Sequence, residues 1–265
     1  MGEHVEINGH RTWLHRSGAG ERTVLLLHGG MSCSEDMLGP FEEPLGASYR
    51  VAAFDRIGHG YTGDTDGPFH YESMADEVIG VIEHLGAPVH LVGWSDGGIA
   101  ALLASRKRPD LVDRQVLIGA NFHNDGVILD GLDGLDGLDE GDDAMRLMGA
   151  GYAQRSPDGP EHFPVVYEKF MRLARTEPTL TTSDLATIRT PTLVLAGDDD
   201  MITLDHTLAL YDALPESQLA IVPGSSHAVP LERPALVASL ILDFLAGPVP
   251  PRTFLPVRRA VGGGR

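Results

Sequence analysis

The stretch that most limits what this chain can fold into is Val89-His90-Leu91-Val92-Gly93-Trp94-Ser95-Asp96-Gly97-Gly98. A short apolar run reads as a buried strand. It is followed by Gly-x-Ser-x-Gly and then by an apolar helical pattern from Ile99 to Ser105. Strand, Gly-x-Ser-x-Gly and helix in that order are the context of a nucleophile elbow, a tight turn that projects a serine hydroxyl above a sheet. Gly93 and Gly97 allow strand and helix to approach where a side chain would intervene. The serine lies at a helix N-terminus, where unpaired amides favour developing negative charge.

The flanks supply the sheet that such an elbow needs. Glu3–Ile7 and Arg11–His15 alternate and are joined by Asn8-Gly9, a preferred hairpin turn. Thr23–Leu27 is continuously apolar, as expected of a strand buried on both faces, and ends in His28-Gly29-Gly30-Met31. Arg50–Phe54 is another strand, ending in Asp55-Arg56-Ile57-Gly58-His59-Gly60. Ser73-Met74-Ala75-Asp76 resembles a capping box, and Val78, Val81, Ile82 and Leu85 then share a helical face up to Gly86 and Pro88. Val112–Ile118 is the next strand.

From about 122 to 185 the alternation breaks. Helical patterns appear near Ala144–Leu147 and Val165–Leu173, and Gly-Leu-Asp occurs three times between Gly131 and Asp139. The repeats lack calcium-loop patterns and read as part of an acidic lid. Leu132, Leu135 and Leu138, with Met145 and Met148, either line an apolar pocket or pack on the core. Alternation resumes with strand Thr192–Ala196, a helix over 203–213, strand Gln218–Val222 and helix Ala235–Leu245. The expected architecture is α/β: a mostly parallel sheet with helices on both faces. It divides into a core over 1–121, an inserted cap over 122–185, the rest of the core over 186–246 and a mobile tail over 247–265. An insertion this long suits a cap above the carboxyl edge of the sheet, where ligands bind in open α/β folds.

A serine hydroxyl needs a base, and the base needs an orienting group. Both follow Ser95 at strand ends. Thr192–Ala196 runs into Gly197-Asp198-Asp199-Asp200, and Gln218–Val222 into Pro223-Gly224-Ser225-Ser226-His227. His227 is the candidate base. The residues alone do not choose among the three aspartates.

The His28-Gly29-Gly30 turn, the Asp55…Gly58-His59-Gly60 loop, Gly93-x-Ser95-x-Gly97, and Gly197-x-x-Asp200 with His227 together resemble the α/β-hydrolase superfamily, from about Glu3 to Leu245 outside the cap. The resemblance implies Asp200 as the acid, with Asp199 second. It also implies an oxyanion hole from the amides of Asp96 and Gly30, with Met31 as a further candidate; Trp94 reads as core packing, with oxyanion or substrate contact as its other reading. Thr62 stands where Ser is frequent, and the Asp55–Gly60 loop reads as structural. Gly93–Gly98 followed by Gly119-Ala120-Asn121 is similar to valacyclovir hydrolase-type enzymes, in which the acid after the serine binds the substrate's amino group. The other reading of Asp96 is a surface aspartate favoured by the helix dipole.

The expected activity is therefore a serine carboxylic ester or lactone hydrolase, acting through an acyl-enzyme on Ser95. Alternatives on the same triad are C–C bond hydrolysis and cofactor-free perhydrolysis; a non-catalytic receptor on this scaffold is the alternative of another class. Residues 1–265 carry a net charge of −18, which argues against nucleic acid and anionic membranes. His84, His90, His123, His162 and His206 show no metal-ligand spacing. No metal or cofactor is expected, and the partner is a small ester or lactone. A single cysteine, Cys33, reads as a small buried side chain and suits the cytoplasm, as does the absence of an apolar run of spanning length.

Overall fold

The computed structural model describes residues 2–128, 143–249, 251 and 253–255. The Gly-Leu-Asp repeats and most of the tail beyond 249 lie outside the described residues.

The strands are β1 (Gly2–Ile7), β2 (His10–Ser17), β3 (Thr23–Leu27), β4 (Arg50–Phe54), β5 (Val89–Trp94), β6 (Val112–Ile118), β7 (Thr192–Asp199) and β8 (Ser217–Ser226). They form one sheet in the order β1-β2-β4-β3-β5-β6-β7-β8. β1 and β2 make an antiparallel hairpin, and β2 is antiparallel to β4. Every pairing from β4 to β8 is parallel. Asn8 and Gly9 both have positive φ, 52° and 80°, as the tight hairpin turn demands.

The pleat sends successive side chains of a buried strand to opposite faces. Leu25 and Leu27 of β3 join one apolar cluster, and Val24 and Leu26 join the other. Helices α1 (Ser34–Gly46), α2 (Tyr71–Leu85) and α3 (Asp96–Lys107) follow β3, β4 and β5. α2 and α3 cover the first face through Met74, Val78, Ile82, Ile99 and Leu102. α1 covers the second, through Met37, Phe41 and Leu45.

One local expectation is corrected, and one helix appears where the sequence reading assigns no element. α1 holds Gly39, Pro40 and Pro44, residues that ordinarily disfavour a helix. It forms because Met37, Phe41 and Leu45 bury fully on the sheet, and because Asp36 accepts the Cys33 amide at 3.2 Å. Ser73 does not cap α2: the helix begins at Tyr71, with His70 at its N-cap.

Between β6 and β7 lie α4 (Asp143–Arg155), α5 (Phe163–Thr176) and α6 (Thr182–Leu185). The two helical patterns expected in the cap thus extend into α4 and α5. Val166 and Leu173 of α5 join the cluster of the first face. The chain closes with α7 (Leu204–Ala213), α8 (Val229–Glu232) and α9 (Pro234–Ala246). α9 places Val237, Ile241 and Phe244 beside α1.

Candidate active site

β5 ends at Trp94 and α3 begins at Asp96, so Ser95 alone makes the turn, at φ 53° and ψ −121°. Backbone held in such a sparsely populated region costs about 1–3 kcal/mol. It survives because the flanks are interlocked. Ser95 N–H donates to the Ile118 carbonyl at 2.8 Å, and the Ser95 carbonyl accepts from Gly98 N–H at 2.8 Å. A Cβ on Gly93 would stand 2.3 Å from the Gly97 carbonyl oxygen, and one on Gly97 2.3 Å from that of Leu27.

The parallel register of β7 and β8, in which Asp199 pairs with Ser226, sets Asp200 and His227 side by side just beyond the strand ends. His227 Nδ1 lies 2.7 Å from Asp200 Oδ1, and His227 Nε2 lies 2.9 Å from Ser95 Oγ. A carboxylate only accepts, so the Nδ1 proton points at Asp200 and Nε2 is left to accept from the serine hydroxyl. Asp200 Oδ1 also accepts from the Ile202 amide at 3.0 Å. Asp198 instead accepts from the Ser225 amide at 3.1 Å, and Asp199 is exposed. Trp94 is half-buried, and its indole N–H donates to the His227 carbonyl at 2.8 Å, bracing the histidine from behind. A side chain on Gly119 would strike His227 Nδ1 at 3.0 Å and Asp200 Oδ2 at 3.2 Å.

The β3–α1 loop lies across from the serine. A Cβ on Gly29 would touch Ser95 Cβ at 3.4 Å. Among the described residues, the amides of Gly30, Met31 and Asp96 donate to no protein acceptor. Met31 has φ 52° and is half-buried.

Asp96 is not the surface aspartate of its second sequence reading: it is 4% accessible. Tyr71 O–H donates to its Oδ1 at 2.7 Å, while Oδ2 is buried without a partner. Burial pushes its carboxyl above the usual range, against the pull of Arg56, Tyr71 and His227.

Phe170 of α5 is the site residue that sequence reasoning passed over. A Cβ on Gly30 would meet Phe170 Cε2 at 2.3 Å and Asp96 Oδ2 at 2.6 Å, so ring and free oxygen flank the same point. The amphipathic pattern of Val165–Leu173 was the available signal, but it does not say which face meets the serine. Met148 packs partly buried against the first-face cluster.

The histidines take other roles. His162 Nε2 lies 2.8 Å from Asp64 Oδ2, which also accepts from Lys169 Nζ at 2.7 Å, tying the cap to the loop after β4. His206 stacks on Phe122 with ring centroids 4.0 Å apart. Among the described residues no cluster of His, Cys, Asp and Glu could hold a metal ion. Cys33 is buried, and desolvation with Asp36 and Asp55 nearby pushes its thiol up to about 12. Among the described residues no helix is long and apolar enough to cross a membrane.

Residues 24–240 match the model of the Alpha/beta hydrolase family. The chain is 27% identical to the human "Serine hydrolase BPHL" over 255 residues, covering 91% of this chain and 85% of that protein. It is 30% identical to the "2-hydroxymuconate semialdehyde hydrolase" of Pseudomonas sp. (strain CF600) over 272 residues, covering 93% and 94%. Its fold superposes on a crystal structure of a serine hydrolase involved in carbazole degradation, the CarC enzyme. That match has a TM-score of 0.75 and 25% identity over 93% of this chain and 98% of the other. The chain is therefore a member of the alpha/beta hydrolase family, and its relatives are hydrolases of several kinds.

Proposed function

We propose that the chain is a serine hydrolase that cleaves a carboxylic ester or lactone through an acyl-enzyme on Ser95. The observation that carries this reading is one imidazole held between Asp200 at 2.7 Å and the Ser95 hydroxyl at 2.9 Å. His227 takes the serine proton as Oγ attacks the acyl carbon, then returns it to the leaving alcohol. Water repeats the sequence to release the acid. The oxyanion is met by the amides of Gly30 and Asp96, which have no other acceptor among the described residues. Met31 stands beside this pair, and Trp94 supports His227. No cofactor takes part in this reading, and the partner is a small molecule. The lone buried Cys33 suits a cytoplasmic setting.

A fluorophosphonate is expected to label Ser95 stoichiometrically. Labelling should vanish in Ser95→Ala and slow at least a hundredfold in His227→Ala, by roughly the weight general-base catalysis carries. An intact chain that does not label would leave the receptor reading standing.

Within this reading Asp96 favours esters bearing an amino group near the acyl carbon. Its buried Oδ2 lacks a donor, and a substrate ammonium would supply one. Alanine esters should exceed their N-acetyl and des-amino analogues in kcat/KM by about tenfold or more, the scale of one charge-assisted hydrogen bond. Because burial raises the Asp96 carboxyl, that preference should fade as pH drops through a value above the ordinary aspartate range, where the acid protonates. Equal rates across the series would remove the amine from the proposal.

C–C hydrolysis is a second reading, favoured by the likeness to the semialdehyde hydrolase. A free carboxylate oxygen beside the nucleophile would repel an anionic keto acid, which weighs against it.

A further inference from the structure

Arg56 is among the largest fully buried side chains of the molecule, with 1% of its surface accessible. An arginine remains protonated in such a place, although burial draws its affinity for the proton down. Its guanidinium donates from Nη1 to the His28 carbonyl at 2.5 Å and from Nη2 to the Gly29 carbonyl at 2.9 Å. Both acceptors belong to the β3–α1 loop. The second is decisive, because the Gly29 carbonyl and the Gly30 N–H are the two ends of one peptide group. In a trans peptide these ends point in opposite directions. Gripping the oxygen from the core therefore turns the N–H away from the core.

The same oxygen is held a second time. Arg56 N–H donates to His28 Nε2 at 3.2 Å, so the neutral imidazole carries its proton on Nδ1. That nitrogen lies 2.7 Å from the Gly29 carbonyl and donates to it. His28 stays neutral because burial disfavours its charged form and Arg56 and His59 stand close. The Gly29 oxygen thus accepts one charge-assisted and one neutral hydrogen bond in a site closed to water. Hydrogen bonds polarise one another in series, more so at low dielectric.

We infer that Arg56 is a positioning residue of the oxyanion hole, which through the Gly29 carbonyl orients and polarises the peptide presenting the Gly30 amide. This rests on the acyl-enzyme reading above, in which that amide meets the oxyanion. The cation draws electron density toward the Gly29 oxygen, and the N–H at the other end becomes a stronger donor. The tetrahedral oxyanion gains more from that than the neutral carbonyl of the bound ester, so the gain falls on kcat. Asp96 and Glu77, which face Arg56 from α3 and α2, balance its charge.

The test uses Arg56→Gln and Arg56→Lys in the full chain, with folding checked by circular dichroism. The glutamine variant should lose kcat by about 10- to 100-fold, below the 10²–10³ that follows removal of a whole oxyanion donor. Its KM should change less than threefold. Affinity for a trifluoromethyl ketone, which forms a tetrahedral adduct on serine, should fall in parallel, while that for the matching methyl carbinol holds. The lysine variant, keeping the charge on one donor, should recover part of the loss. A folded glutamine variant with wild-type kcat and ketone affinity would overturn the inference and leave the acyl-enzyme reading intact. A wild-type chain that neither labels at Ser95 nor binds the ketone would overturn both. If neither variant folds, the wild-type chain still decides. Polarisation at the Gly29 oxygen deshields the next nitrogen, so the Gly30 ¹⁵N resonance should lie downfield of the mean of the other glycines. A position at or upfield of that mean refutes the inference.

Discussion

The sheet edge and the helices α4–α6 between β6 and β7, which we read as a cap, meet near Ser95 but are held by different forces. The edge is built around β3 and β5, strands whose two faces are both buried, and its critical approaches are backbone against backbone, as at Gly97 and the Leu27 carbonyl, 2.3 Å from where a Cβ would sit. The cap contributes Tyr152, Phe163, Val166 and Leu173 to the apolar cluster, and its seam with the core also carries ion pairs. Asp64 joins His162 and Lys169, Arg155 pairs with Glu35 at 2.7 Å, and Glu177 pairs with His70 at 2.6 Å. Close packing leaves Ser95 little freedom, whereas ion pairs can separate at modest cost. Under the proposed function, a site that holds three side chains rigid and still admits a substrate has reason to use both.

The sharpest way to break that comparison is to make one substitution in each region. Gly97→Ala should cost about 3 kcal/mol or abolish folding, because the Leu27 and His28 carbonyls, 2.3 and 2.6 Å from where its Cβ would sit, cannot yield without moving β3 and its loop. Gly149→Ala in α4 meets nothing nearer than Phe163 at 3.5 Å and should leave stability unchanged or raise it by about 0.5 kcal/mol. Equal losses in thermal unfolding would refute the contrast.

A smaller effect sharpens the core side. Burial pushes Glu77 up to about 7, against the pull of the Ile57 amide and Arg56. Between pH 4.5 and 7 the folded state therefore binds more protons than the unfolded one, so stability is full below that window and falls as pH rises through it. Glu77→Gln should remove this slope and be more stable at pH 8 by about 1–3 kcal/mol. A Tm that declines equally with pH in both proteins would contradict it.

The smallest change tests the cap. Burial alone would raise Asp64, yet Lys169 and His162 hold its carboxyl below the usual range. Its contribution is thus present above the ordinary aspartate pKa and lost as pH falls below it. Asp64→Asn should cost about 1 kcal/mol, speed proteolysis within 143–176, and leave fluorophosphonate labelling of Ser95 intact. Unchanged cleavage of the cap would show that the ion pairs do not hold it.

What the chain discloses by itself follows from the same division. Thr23–Leu27, Arg50–Phe54 and Val112–Ile118 were legible to the residue, because the buried part of a strand covered on both faces is a continuous apolar run, as in Val24–Leu27, Val51–Phe54 and Val116–Ile118. Ser95 and His227 were legible because the elbow and the strand end leave local signatures. α1 was hidden behind Pro40 and Pro44, whose helical cost is offset only by packing that no window of sequence contains.

Primary structure thus determined the α/β alternation, the elbow and the set of acids from which a partner for His227 could come, since each depends on residues near in sequence. Tertiary structure decided the rest. The register of β7 on β8 set Asp200 rather than Asp199 beside His227, packing from distant elements buried Asp96 with Tyr71 and Phe170 close by, and the folding of the β4–α2 loop beneath the β3–α1 loop put Arg56 on the Gly29 carbonyl. Desolvation and hydrogen-bond direction arise from neighbours distant along the chain, and only the folded molecule assembles them.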